Sequence, residues 1–558
     1  MSTEEPPLEL KATHENAASN GKGSAFWLSF CAIIVSIFLS ALDLTGVATA
    51  LPTITDDLHG ADNFVWVGSA YALSSTAILP LSGSLADIFG RKPIMLLAIV
   101  FCLGSALAGA AQNMNMLIAA RTVQGIGGGG IINLTEILTS DLVPLAERGV
   151  YQGILGLTWS FASGIGPPLG GIFAQKASWR WLFYLNLPLS GIAFALVVGF
   201  LRVQTPEGSM RAKLERVDWL GNFIVISGIT LAVIGLTWGG IHYPWDSAHV
   251  LAPLIIGLAL TCLFFLYERN IPREPTIPWQ VVSNRTSFSG YIATTIHGIT
   301  SISIIYYLPV YFQASLGASP IRSGVDLLAT ALVIAFFALI AGVAVQVMNK
   351  YRPANAVGWA ITIVGFGLLT LLRANAPVGH WVGYQIVASA GTGAIFAATI
   401  FPVLAPLPVS RTAAALAFFA FVRAFAQTWG ITISSTILQN ELKRNLPPDF
   451  VAQFPKGLEI AYAAIPQIPS LQEPLRSEVQ AAFATSMAVV WKTMIGISGL
   501  GFLTVFLLKE VPMKKETDSK YGLDETGQRA VDEERTRVEE LDKLESVVEE
   551  TSPKEGQS

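Results

Sequence analysis

Long apolar runs separated by short polar breaks fill most of the chain. They occupy residues 27–50, 64–86, 94–111, 116–138, 151–173 and 182–201. After a basic stretch come 219–239 and 250–267, then 290–312, 324–348, 355–372, 382–404, 413–438 and 487–508. Each approaches or exceeds the roughly 20 residues an apolar helix needs to cross a bilayer, and the shortest lie near the lower limit of about 17. The pattern predicts fourteen membrane helices. The first run is too long for the apolar region of a cleaved leader and reads as a permanent span.

The breaks predict an orientation. Loops after even-numbered runs carry Arg91, Lys92, Arg148, Arg202, Arg211, Lys213, Arg216, Arg269, Arg273, Arg285, Lys350, Arg352 and Arg411. Short loops after odd-numbered runs carry only Lys176, Arg180, Arg322 and Arg373. Basic residues stay on the cytoplasmic side, so the even loops and both termini are expected there.

Composition agrees with a polytopic membrane protein. Of 558 residues 13% are charged and 52% hydrophobic, against about 25% charged in a soluble domain. Cys31, Cys102 and Cys262 all lie inside apolar runs, so neither a disulfide framework nor a metal cluster is expected. The tails are expected in the cytoplasm: 1–26 is polar and reads as disordered, and 509–558 is heavily charged and reads as disorder or a trafficking tail, with a solvated helix from Glu533 to Glu550 as the alternative. The proline-rich stretch 439–485 falls on the outer side. It reads as a loose connector, with a structured flap over an exit path as the alternative.

Ionisable groups inside membrane helices are expensive and mark function by default. Asp43 stands in the first run, about two turns before Pro52, and Arg121 in the fourth. The two runs point in opposite directions, which puts both residues in the outer half. A carboxylate beside a guanidinium stays ionised, and one that loses its partner in a low-dielectric site takes up a proton. An Asp43–Arg121 contact that breaks and reforms would be a proton switch; the bland alternative is a static pair. Gln124 shares the face of Arg121, three residues on. Glu136 reads equally as a second titrating site or as an interfacial group satisfied by water or Arg148. His297, Arg423 and Gln427 are candidate cavity residues of the second half. For His297 a neutral imidazole bonded to a neighbouring helix is the simpler reading, whereas Arg423 cannot be neutralised and must be paired or wetted. Aromatic residues at helical spacing, such as Tyr307, Tyr311, Phe418 and Phe421, are more often packing than lining.

Two glycine-spaced motifs complete the picture. Gly83-Ser-Leu-Ala-Asp-Ile-Phe-Gly-Arg-Lys92 places Asp87, Arg91 and Lys92 in a very short loop, with Gly83 and Gly90 allowing close packing. Gly164-Ile-Gly-Pro-Pro-Leu-Gly-Gly171, with Gly166, Pro167, Gly170 and Gly171, predicts a bent helix nested on a partner. P-loop, HExxH, CxxC and Gly-x-Ser-x-Gly patterns are absent from the sequence. Energy is therefore expected from a gradient rather than nucleotide hydrolysis, and no enzyme activity, cofactor or nucleic-acid partner is expected.

Together with Trp179 to Pro188, Asp218-Trp-Leu-Gly221, Tyr307 to Gln313 and Arg423 to Gly430, these motifs make the chain resemble the fourteen-span drug:proton antiporters of the major facilitator superfamily, in their fungal branch. The resemblance implies an all-α membrane protein of two six-helix bundles built as inverted repeats, 27–204 and 287–508. Two extra helices would lie in the linker 205–286, and cargo would bind near the midplane. It makes Gly83 to Lys92 the latch of the inner gate and Gly166 to Gly171 the antiporter signature. The corresponding second-half loop, Met348-Asn-Lys-Tyr-Arg-Pro353, lacks the full latch pattern. The implied activity is proton-coupled export of hydrophobic or amphipathic small molecules by a monomer in the plasma membrane. A transporter of a defined solute, such as a siderophore chelate or vacuolar basic amino acid, is the alternative, followed by a non-transporting sensor.

Overall fold

The computed structural model describes residues 24–58, 65–91, 97–145, 147–200, 209–239, 243–272, 274–454 and 460–513. Lys92 and most of both tails fall outside them. All fourteen apolar runs are helical: α1 (Ser24–Asp57), α2 (Val65–Phe89), α3 (Leu97–Gly109), α4 (Met114–Leu142), α5 (Arg148–Lys176), α6 (Arg180–Phe200), α7 (Trp219–Trp238), α8 (Ala248–Asn270), α9 (Arg285–Ala314), α10 (Pro320–Met348), α11 (Arg352–Leu369), α12 (Val378–Ala398), α13 (Thr412–Asn445) and α14 (Leu475–Thr504). Among the described residues ten helices are long and apolar enough to cross a membrane; α3 is a shorter apolar helix, and α4, α5 and α11 are not in that set. In α4 the reason is visible in its sequence, where glycines and the polar Arg121, Gln124, Asn133 and Glu136 dilute the apolar side chains.

Local chemistry sets the helix starts. Side-chain oxygens of Asn113, Asp218, Asn284 and Ser319 accept the free backbone N–H groups of the first turns of α4, α7, α9 and α10. The glycine run of α4 decides its neighbours. A Cβ at Gly125 or Gly129 would run into α2 backbone, and one at Gly127 into α3. Helix α4 is thus wedged between the two at backbone distance.

Packing groups α1 to α6 on one side and α9 to α14 on the other, with α7 and α8 paired to each other. The groups meet where α5 lies along α10 and α2 along α13. Gly149 and Gly342 cross so closely that a Cβ on either would strike the other's backbone, and Ser160 donates to the Ala331 carbonyl at 2.8 Å. The two ends of the molecule differ. At the end holding Gly90 and Arg91 a single apolar core joins both groups, from Phe30, Ala86 and Leu138 to Tyr351, Phe401 and Leu416. At the opposite end each group has its own core, one around Val47, Met114 and Phe183 and the other around Tyr311, Trp381 and Phe483.

The reading of 439–485 as a loose connector is corrected. Helix α13 continues to Asn445 and α14 starts at Leu475. Between them Phe450, Ile460, Ala461, Ala464 and Ile468 are buried against Leu442, Val479 and Phe483. The stretch carries enough apolar side chains to bury a face of its own, and the Ile460 N–H donates to Gln439 Oε1 at 2.9 Å.

Candidate functional site

Asp43 and Arg121 meet directly. Arg121 Nη1 donates to Asp43 Oδ2 at 2.7 Å and to Gln124 Oε1 at 2.6 Å, and Nε donates to the Val67 carbonyl at 3.1 Å. The other carboxylate oxygen, Oδ1, accepts from Gln124 Nε2 at 2.8 Å and Asn186 Nδ2 at 2.7 Å. Ser105 closes the ring, accepting from Gln124 Nε2 at 2.8 Å. The guanidinium lies 4.4 Å from the centroid of the Tyr71 ring. Both charged side chains are 1% exposed. Such a buried pair is tolerable because both carboxylate oxygens and the guanidinium Nε and Nη1 are hydrogen-bonded, with the tyrosine face against the guanidinium. Five helices, α1, α2, α3, α4 and α6, contribute to it. Asn186, Ser105 and Tyr71 were missed by sequence reasoning; they are neutral, and no periodicity distinguishes them from ordinary helix-packing residues.

The antiporter-like motif sits directly behind Asp43. Gly166 packs on Thr45 and Gly46 so tightly that a Cβ there would overlap the Thr45 hydroxyl. Gly170 is buried, while Gly171 faces open space. Helix α5 runs unbroken through Pro167, from Arg148 to Lys176.

In the loop that follows α2, Gly90 adopts φ +93°, a conformation glycine reaches at no steric cost, and this ends the helix. Arg91 then folds back. Its Nη1 donates to the Ala86 carbonyl at 2.7 Å and to Asp87 Oδ1 at 2.9 Å, and its Nε donates to Asp141 Oδ2 at 2.8 Å. Asp141, on α4, is a further residue the sequence reading did not single out. A Cβ on Gly83 would overlap that of Ala417, so α2 and α13 touch at backbone distance two turns before Gly90. In the corresponding second-half loop Asn349 holds the left-handed position at φ 52°. There the Tyr351 N–H donates to Glu510 Oε1 at 2.6 Å and its hydroxyl donates to the Lys509 carbonyl, which pins the segment after α14. Burial, with Glu510 adding to it, pushes the Tyr351 phenol up to about 12.

Glu136 bonds Gln152 Nε2 at 2.6 Å. Arg148 instead donates to the Ser140 and Val143 carbonyls, so the expected Glu136–Arg148 satisfaction is replaced by capping of α4. His297 is buried, with Nε2 3.1 Å from the Thr392 carbonyl and its ring against Phe396. Arg423 is half-buried between Phe396 and Phe419, at 4.3 and 4.5 Å from their centroids, and donates to the Phe396 carbonyl at 3.2 Å. Gln427 lies one turn further along α13, also half-buried. Tyr307, Tyr311 and Phe418 are core residues.

The sequence model of the Major Facilitator Superfamily matches residues 33–431. The chain belongs to this superfamily. It is similar to the "MFS-type efflux pump LUC4" of a Fusarium species, 39% identical with 91% of this chain and 92% of that protein covered. It is similar also to the "Efflux pump FUS6" of Gibberella fujikuroi, 39% identical over 90% and 92%. The "Acurin A biosynthesis cluster MFS-type transporter" of Aspergillus aculeatus is 38% identical over 90% and 92%. Among solved structures, the human organic anion transporter MFSD10 (TETRAN) covers 87% of this chain and is itself covered completely, with a TM-score of 0.57 and 13% identity. That likeness shows the fold. The protein is an all-helical integral membrane transporter of the superfamily.

Proposed function

We propose that this protein exports hydrophobic or amphipathic small molecules, such as drugs, toxins or secondary metabolites, in exchange for protons. The relatives are named efflux pumps and biosynthesis-cluster transporters. The observation that carries the coupling is the dry Asp43–Arg121–Gln124–Asn186 network. Asp43 is the one acid in that network and can be neutralised, whereas Arg121 cannot. When rocking of the helix groups separates the pair, a proton takes the place of the guanidinium; when the pair reforms, the proton leaves.

On this reading the fourteen helices all span, as two six-helix bundles with α7 and α8 between them, and both termini are cytoplasmic. The single core at the latch end is the closed inner gate, and the separate cores at the other end belong to an outward-facing state. Arg423, His297, Gln427 and Glu136 border the cargo path of a plasma-membrane monomer. The test is efflux of a panel of lipophilic compounds from cells lacking their own pumps. Asp43→Asn or a protonophore should each abolish it; normal pumping by the inserted variant would refute the coupling.

A further inference from the structure

The motif Asp218-Trp-Leu-Gly221 plays no part in the transport centre, yet it builds a buried acidic joint with α8. Asp218 caps α7, its Oδ1 accepting from the Gly221 N–H at 2.9 Å and the Tyr267 hydroxyl at 3.0 Å. Glu268, on the last turns of α8, accepts the Thr276 N–H at Oε1 at 3.1 Å. Both carboxyls lie over Gly221: a Cβ there would overlap Asp218 Oδ2 and sit 3.1 Å from Glu268 Oε1. Asp218 is 9% and Glu268 4% exposed. The second oxygen of each, Asp218 Oδ2 and Glu268 Oε2, is buried without a hydrogen-bond partner, as is Asn222 Oδ1 beside them.

Among the described residues no Lys or Arg pairs with either carboxyl. Arg216 is engaged by Glu274 at 2.8 Å, and Arg269 lies over the Trp279 ring. Where α8 meets α13 the contact is Phe265 on Phe418, and Tyr291 of α9 packs on the same Phe418 while its hydroxyl donates to the Ala415 carbonyl. Two ionised carboxylates facing each other in such a place would repel, and each unsatisfied oxygen would carry its own desolvation cost. One proton removes both problems, since it makes one oxygen a donor and leaves the other an acceptor.

We propose that Asp218 and Glu268 share one proton, forming a proton-binding site on the added helices that is distinct from Asp43. The joint has a mechanical meaning. Thr276 is bonded both by Glu268 and by Asn222 Nδ2, at 2.8 Å, so the pair fastens the connector leading to α9 onto the root of α7. Helix α7 packs on both α2 and α13, the seam beside the latch. Losing the proton sets two negative charges against each other at the covalent joint between the helix groups.

Infrared spectroscopy of the full chain in liposomes tests this. The wild-type-minus-Glu268→Gln difference spectrum should show a protonated carboxyl C=O band that shifts in D2O and fades as pH rises. The wild-type-minus-Asp218→Asn spectrum should show the same band. The folded state holds the proton more tightly than the unfolded one, so thermal stability should fall as pH rises through the fading and should stay flat in Glu268→Gln. If a single variant does not fold, the double variant, whose two amides can bond each other, serves for the subtraction. A band absent at every pH, or retained in both variants, overturns the proposal. So does stabilisation of wild type by sodium, calcium or magnesium chloride in place of acid, which would mean that a cation fills the joint.

Discussion

Each half of the molecule places an arginine within a helix, and the two are held in opposite ways. Arg121 is sealed among an aspartate, a glutamine, a backbone carbonyl and a tyrosine ring. Arg423 has two phenylalanine faces and one carbonyl, with its Nε unpaired and no carboxylate bonded to it. The difference follows from what each can exchange. A guanidinium matched to a carboxylate forms a unit with two stable states, because the carboxylate can trade its partner for a proton. A guanidinium between aromatic rings has no such second state. It keeps a fixed positive charge between flat apolar walls, which on the proposed function serves to hold cargo rather than to move a proton.

Breaking the first centre should cost most. Arg121→Gln strands Asp43 in a dry site, and loss of one partner of a buried pair costs about 3–5 kcal/mol. Folded yield and thermal stability in detergent should therefore drop sharply. Asp43→Asn keeps the shape and should lose proton-driven efflux while inserting normally. Next comes Asn186→Leu, which removes a hydrogen bond to a charged oxygen, about 1.5–3 kcal/mol; a stability series should rank it between Arg121→Gln and wild type. Arg423→Gln breaks no ion pair. It should leave the melting temperature nearly unchanged and weaken cargo affinity about thirtyfold, the scale of one desolvated cation–π contact of about 2 kcal/mol to an aromatic cargo. A melting loss as large as that of Arg121→Gln would erase the contrast between the halves. The smallest effect belongs to His297→Gln, which can keep a bond to the Thr392 carbonyl. It should cost no more than about 1 kcal/mol and leave the pH profile of efflux in place; a shifted profile would make the second half a participant in coupling.

The candidate centre was half legible in advance. Asp43, Arg121 and Gln124 stood out because charge within an apolar run is costly, and the spacing of Arg121 and Gln124 puts them on one helix face. Their partners Asn186 and Ser105 did not stand out, because neutral polar residues are common in membrane helices and only packing selects which ones converge. Asp141 was hidden in the same way: it lies at the end of α4, where an interfacial acid needs no explanation until Arg91 is seen to reach it. The connector after α13 misled for another reason. Its prolines signal irregular backbone, and irregular backbone can still bury a face when apolar side chains such as Phe450, Ile460 and Ile468 are spread along it.

By itself the sequence determined that this is a polytopic helical membrane protein, where its helices lie, and which charges are kept inside them. Those properties are local: the length of an apolar run and the cost of a charge within it do not depend on the rest of the chain. The tertiary structure decided which residues pair across helices and that one end shares a single core while the other has two. It also brought Asp218 and Glu268 together over Gly221, with no Lys or Arg paired to either among the described residues. Those outcomes arise between helices far apart in the chain, where close approach through Gly83, Gly125 and Gly166 fixes which side chains meet.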